Sequence, residues 1–368
     1  MKYTVFAGRK GDSDTWGIHS YIYDNETSAL KWRRREDDLR EFTHLAISPN
    51  GCYMAATGKD EQNEDILVLY SIAGCNNEIR CIGHVRMQTS GDVCHLEISH
   101  DSTAAVVTDF VNKGIHVYRI GNDDSPVSFV KRVSFQGSST SFRQGSTHLH
   151  SAFFSMDDQY ILVSDLGANR IWVVRWDRET DRFETVDAWK GRDGIGQRHL
   201  CMHPNGKNVY SLSEITAEIA ALELQPDGTL KQISMQSAMD QPLPNYAGQP
   251  LTALGLPPNY IAAGDIVISP DGKYVFASIR MIREISVFGV MPDGNLMPIC
   301  FARSQGTPRC LRISRDSHVL FAFDEESSFT GGKGMIEVFC WDECAKQLSC
   351  VASQEVSGMF VGSVLPET

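Results

Sequence analysis

Residues 264–280 read GDIVISPDGKYVFASIR, and the chain continues as ISVFGV from Ile285. Apolar and polar residues alternate on both sides of the turn Ser269-Pro270-Asp271-Gly272, the pattern of two strands that each bury one face. Asp-Gly between such runs is a strong hairpin signal, and the ISVFGV segment supplies a third strand. Outward from this stretch the same pattern recurs. It reads HLAISPNGCYMAATG with ILVLYSI from His44, CHLEISHDSTAAVVTDF with IHVYRI from Cys94, and HSAFFSMDDQYILVSDL with IWVVRWD from His150. It reads RHLCMHPNGKNVYSLSE with IAALEL from Arg198, and RCLRISRDSHVLFAFDE with IEVFCW from Arg309. A repeat of roughly 45 to 65 residues matches a four-stranded propeller blade. Six copies are clear, and both ends of the chain supply strands for a seventh: Tyr3 to Gly8 and Gly17 to Tyr23 at the start, Met359 to Gly362 at the end. The expected fold is all-β: a seven-bladed β-propeller of four-stranded antiparallel blades, closed by N- and C-terminal strands, with residues 1–368 as one domain. Ring closure of this kind removes exposed sheet edges. The longest irregular stretch, about Gln236 to Tyr260, is rich in Pro, Gly and Asn and reads as a long inter-strand loop.

Composition narrows the function. The net charge of −12 is the wrong sign for a protein that neutralises phosphates along a nucleic acid. The one basic run, Lys31 to Arg35, is followed at once by Glu36, Asp37 and Asp38, so it reads as a solvated loop. No stretch approaches the roughly 20 apolar residues that span a bilayer. The N-terminal residues lack the apolar core and small-residue cleavage site of a signal peptide, so a cytoplasmic location is expected. In that compartment the ten cysteines are expected to be buried thiols. Cys340, Cys344 and Cys350 do not have the spacing of a zinc site.

The repeats place charges in a consistent way. They superpose on the last residue of the turn: Gly51, Ser102, Asp158, Gly206, Gly272 and Ser317. Eight places before this anchor stand Thr43, Cys94, His150, Arg198, Gly264 and Arg309; eight places after it stand Lys59, Phe110, Leu166, Glu214, Arg280 and Glu325. The two strands form a hairpin, so both sets lie at its open end. Equivalent positions in a propeller fall on one ring around the channel. His150, Arg198, Glu214, Arg280, Arg309 and Lys59 should therefore converge at one mouth, with no competing cluster at the other. Convergent titratable groups in a concavity mark a small-molecule site; the alternative is a set of strand-end salt bridges.

The stretches His148 to Ile171, Gln197 to Glu214 and Gly264 to Arg280 resemble the propeller lactonase family. That family includes bacterial 6-phosphogluconolactonases and the fungal 3-carboxy-cis,cis-muconate lactonising enzyme, and the resemblance runs blade by blade over nearly the whole chain. No Gly-His…Trp-Asp signature of a WD40 scaffold is present. The fungal active site uses a histidine, a glutamate and two arginines. The resemblance puts these on His150 in its His-Ser-Ala context, Glu214 in Ser-Glu, Arg198 in Arg-His, and Arg280 at the end of the second strand. It implies no metal and no cofactor. Three departures stand out: Gln197 replaces the usual proline before Arg198, Ile279 precedes Arg280, and the turn after His150 reads Ser-Met-Asp-Asp. None removes a charged group.

The family implies opening of a lactone ester by water, which needs a base, stabilisation of the oxyanion and an acid for the leaving alcohol. His150 suits the proton work because its ordinary pKa lies near neutrality. Glu214 could orient it or share that work. Arg198 and Arg280 suit an anionic substituent and the developing charge. Arg309, Lys59, His148 and His199 are candidate substrate-binding residues. The expected substrate is a small anionic lactone or sugar acid; the oligomeric state is left open. The same groups could run the cycloisomerase reaction, and a non-catalytic interaction platform is the third reading. His148 and His150 share a strand face and with Glu214 could imitate a metal site, whereas Trp172 and Trp176 read as packing.

Overall fold

A computed structural model describes residues 1–367 other than 38, 90–92, 122–124, 244, 247–248, 253–254 and 327–330. Among the described residues the strands form seven antiparallel sheets of four. We number the blades along the chain from their inner strands. These are Arg40–Ile47 (blade 1), Val93–Ile98 (2), Leu149–Phe154 (3), Gln197–Met202 (4), Ala263–Ile268 (5), Pro308–Ile313 (6) and Met359–Pro366 (7). Each inner strand lies against the next, and the seventh returns to the first, which closes the ring. In blade 7 the C-terminal inner strand pairs with Lys2–Arg9, and Gly17–Asp24 and Ala29–Asp37 complete the sheet. The expected mixing of the two chain ends is what the structure shows. No helix is long and apolar enough to cross a membrane among the described residues.

The turn chemistry explains the hairpins. All six anchor residues have left-handed backbones, from Asp158 at φ 57° to Gly272 at 75°. Glycine adopts this conformation without cost and aspartate tolerates it. In five blades the turn serine donates its hydroxyl to the Asp or Asn two residues on, as Ser269 does to Asp271 at 2.6 Å. Between blades the apolar faces interlock, for example Tyr274, Phe276, Leu311, Phe339 and Trp341. Trp176 stacks on Phe183 and Trp172 packs on Phe135, as their spacing suggested. The irregular segment begins and ends about two residues later than expected, because strands cover Leu230–Ser237 and Ala263–Ile268. Residues 244, 247–248 and 253–254 of that segment lie outside the described residues. The cysteine expectation is corrected. All ten thiols are free, but only Cys201 and Cys310 are buried, and six occupy exposed positions on outer strands and turns.

One backbone irregularity positions the site. In blades 2 to 6 the inner strand carries an extra residue just where it leaves the hairpin. The pairing jumps from Leu149–Asp165 to Ser151–Ser164, and from Gln197–Ser213 to His199–Leu212. The same jump recurs around Cys94, Gly264 and Arg309. His150, Arg198 and Arg309 are thus unpaired bulge residues. A bulge bends the strand and re-aims its side chain.

Candidate active site at one mouth of the channel

Glu214 is the hub of the site. It follows the second strand of blade 4, Asn208–Ser213, and is 1% exposed. Its Oε1 accepts hydrogen bonds from Arg143 Nη1 and from the Tyr260 hydroxyl, both at 2.5 Å. Its Oε2 accepts from Arg198 Nε at 2.8 Å and from Arg280 Nη2 at 3.4 Å. His150 Nε2 stands 3.7 Å from the same oxygen. Burial alone would raise the Glu214 pKa, but Arg143, Arg280 and Arg198 together outweigh it and hold the carboxyl far below the usual range. Glu214 is therefore a permanent anion at neutral pH and no proton carrier.

His150 shows the opposite response. Burial, followed by the charge of Arg198, pushes its pKa well below 6.5, so the resting imidazole is neutral. A neutral imidazole can accept a proton but cannot donate one as an acid. Beyond it, Glu325 accepts from Arg280 Nη1 at 2.8 Å and from Arg309 Nη1 at 3.1 Å. Burial raises the Glu325 pKa, but Arg280 and Arg309 outweigh it and keep it low.

Arg143, His150, Glu214, Arg280, Arg309 and Glu325 line an open cavity of about 740 Å³ whose apolar wall includes Phe110, Phe142, Leu256 and Phe360. Four arginines (143, 198, 280 and 309) face two glutamates (214 and 325), leaving two positive charges uncompensated with the histidines neutral. The arginines divide into two kinds. The side chains of Arg198 and Arg280 are 1% and 4% exposed. Arg198 also donates to the Gly264 carbonyl, and Arg280 Nε to that of Ala262. Arg143 and Arg309 are 27% and 16% exposed, and Arg309 lies over the Phe360 ring, 4.3 Å from its centroid.

The sequence-derived candidates separate accordingly. His150, Glu214, Arg198 and Arg280 come together, with Arg198 set behind Glu214 rather than on the cavity wall. Arg309 and His148 line the cavity, His148 stacked on Phe110 at 4.5 Å. Lys59 does not. In blade 1 three residues, Glu41 to Thr43, oppose Gly58 alone, so Lys59 still sits inside the hairpin opposite Arg40. Its ammonium turns outward to Asp65 at 3.2 Å. His199 is also misplaced by the sequence reading. It faces the central channel, where Nδ1 meets Asp265 Oδ1 at 2.7 Å.

The channel behind this mouth holds a second group of titratable residues that the superposed positions did not include. A second cavity of about 360 Å³ runs from behind Arg198 down the channel, lined among others by His44, His95, Glu97, His199, Asp265 and Arg312. Burial leaves His44 and His95 neutral, takes His199 to about 4 and raises Glu97 to about 7. The signal was present one place after the ring already considered. Seven before the anchor stand His44, His95, Ser151, His199, Asp265 and Cys310.

Sequence reasoning missed Arg143 and Tyr260. They belong to the two longest connections between described strands, 135–148 and 238–262. Edge-to-face contacts of Phe142 with Tyr246 and Tyr260, at 5.7 and 5.6 Å, lock the two loops together. Loops have no counterpart in the other repeats, so superposing repeats could not find them; their length was the available hint.

The model of a family described as "Lactonase, 7-bladed beta-propeller" matches residues 4–351. A 6-phosphogluconolactonase of Bacillus subtilis is 23% identical over 330 residues, 89% of each chain. One of Formosa agariphila is 24% identical over 278 residues, 74% of this chain and 73% of its own. Among solved structures, the periplasmic gluconolactonase of Pseudomonas aeruginosa aligns with a TM-score of 0.83 at 20% identity over 100% of both chains. A protein from Lactobacillus plantarum aligns at 0.84 with 18% identity, covering 99% of this chain and 100% of its own.

Proposed function

This chain belongs to the lactonase family of 7-bladed β-propellers, and from that premise we propose that it hydrolyses an anionic sugar lactone of the 6-phosphogluconolactone kind. The observation that carries the reading is a neutral His150 beside the ionised Glu214, in a cavity with surplus positive charge. The protein as a whole carries −12, which repels an anion, so the local surplus has to supply the attraction.

In the proposed reaction His150 Nε2 takes a proton from water as the oxygen adds to the lactone carbonyl carbon. Nearby guanidinium groups stabilise the resulting oxyanion. As the intermediate collapses, the ring C–O bond breaks and the leaving alkoxide recovers the proton from the imidazolium. The new carboxylic acid ionises into water. Glu214 serves as a clamp in this scheme, holding Arg143, Arg198 and Arg280 in place. Recognition of the substrate's phosphate or carboxylate falls to Arg143 and Arg309, the more exposed pair, while Arg198 and Arg280 are occupied with carboxylates and backbone carbonyls.

Hydrolysis of a panel of sugar lactones, with and without phosphate, tests the reading. Faster turnover of the phosphorylated members is expected; no turnover of any lactone sinks it. The resemblance implies no metal, so activity should persist after EDTA treatment. Loss with chelator and recovery with a divalent ion would move the chemistry to a metal-bound water.

A further inference from the structure

We propose that the Asp265–His199 pair, seated in the channel behind the mouth, fixes His150 in the tautomer protonated at Nδ1. This rests on the role of base given to His150. A base acting through Nε2 must keep that nitrogen bare, yet Nε2 lies 3.7 Å from the Glu214 carboxylate. A carboxylate so placed favours a proton on Nε2, which is the wrong tautomer for the reaction. An acceptor on the Nδ1 side has to counter it, the task an orienting partner performs for a catalytic histidine elsewhere.

No described residue lies within hydrogen-bond reach of His150 Nδ1, although that atom is buried. Buried polar atoms without partners are rare and need an account. His199 offers one. Its Nδ1–H donates to Asp265 Oδ1 at 2.7 Å, which leaves Nε2 as a lone-pair acceptor. That Nε2 is also buried and without a partner among the described residues. The two imidazole centroids are 5.2 Å apart at an interplanar angle of 64°. At that separation one water from the adjoining channel cavity can bridge the two unpartnered nitrogens while both rings keep their other contacts.

Asp265 is itself held firmly. Its Oδ2 accepts from the Leu311 amide at 2.9 Å and from Arg312 at 3.3 Å, and its Oδ1 from its neighbour's amide. Those bonds keep the carboxylate ionised against burial, through His199 and Arg312 above all. The pair therefore presents a fixed acceptor from blades 4 and 5 to a histidine on blade 3. His199 and Asp265 touch no reacting atom, so they are positioning residues.

The direct test is 15N NMR of the imidazole nitrogens in the substrate-free protein. Wild type is expected to show a pyrrole-like Nδ1 and a pyridine-like Nε2 at His150. In His199→Phe the two signals should exchange character. The same variant should lose about ten- to a hundredfold in kcat, with KM within about twofold. Asp265→Asn, which leaves His199 without an anionic partner, should shift the tautomer ratio the same way. A wild-type His150 protonated at Nε2, or an unchanged tautomer in a folded His199→Phe, overturns the proposal. The wild-type spectrum decides even if a variant does not fold. It also decides without substrate, so absence of lactone turnover would count against the lactonase reading alone.

Discussion

Blade 4 and blade 1 are built on the same hairpin, with a left-handed glycine at the turn, Gly206 at φ 72° and Gly51 at 73°. Eight places either side of these glycines, blade 4 carries Arg198 and Glu214 and blade 1 carries Thr43 and Lys59. In blade 4 one bulge residue turns Arg198 onto Glu214 at 2.8 Å. In blade 1 the bulge is longer, Thr43 bonds Thr57, and Lys59 is drawn to its cross-strand neighbour Asp65. Equal distance from a turn therefore does not ensure an equal direction for the side chain. The number of bulge residues and the nearest opposite charge decide that.

The largest effect expected from breaking this contrast lies at the base beside blade 4. His150→Asn should lower kcat by about a hundredfold or more, the loss of positioned proton transfer; steady-state kinetics on the best lactone measures it. Glu214→Gln comes next. It leaves three buried or half-buried arginines without their shared anion, which should cost about 3 kcal/mol of stability and tens of times in kcat/KM. Urea denaturation and kinetics should report both losses together; an unchanged denaturation midpoint would refute the clamp. Arg143→Ala and Arg309→Ala should each lower kcat/KM for phosphorylated lactones by about tenfold, and for neutral ones by far less. Equal losses on both substrates would remove these residues from anion recognition. Lys59→Met, at the position in blade 1 equivalent to Glu214, should leave kcat/KM within about twofold of wild type. A larger effect would return that blade to the site.

Protons sharpen the contrast too. His44 of blade 1 and His199 of blade 4 share the channel, and with His95 and His150 they are held neutral by burial. Their pKa values are lower folded than unfolded. The stability they contribute is therefore present above about pH 6.5 and lost as pH falls toward their lowered values. Each contributes a slope of up to about 1.4 kcal/mol per pH unit in that window. Melting temperature should fall steeply between pH 6.5 and 5, and less steeply in His44→Phe. A melting temperature flat over that range would contradict neutral channel histidines.

Much of this was legible because it is local and repeated. Ser-x-Asp turns and alternating apolar residues set the hairpins, and six repetitions set the ring. Counting from the turns brought out His150, Arg198, Glu214, Arg280 and Arg309, which the structure does assemble. Lys59 failed because counting cannot see the extra bulge residues of blade 1. His199, which the counted positions did not include, stands one residue further along the strand and faces the channel instead of the mouth.

The amino-acid sequence by itself determined the seven blades, their closure by the two chain ends, and the level of the propeller at which the charges stand. The hairpins follow from interactions within a few tens of residues, and their repetition, with strand patterns at both chain ends, implies a closed ring. Only the tertiary structure decided which charges meet. Glu214 is kept ionised by Arg143 from one loop and Arg280 from the next blade, against a burial penalty that would otherwise protonate it. His150 is kept neutral by burial and by Arg198 from the neighbouring blade. Protonation states arise from distances across blades and from exclusion of water, and neither quantity exists until the ring has closed.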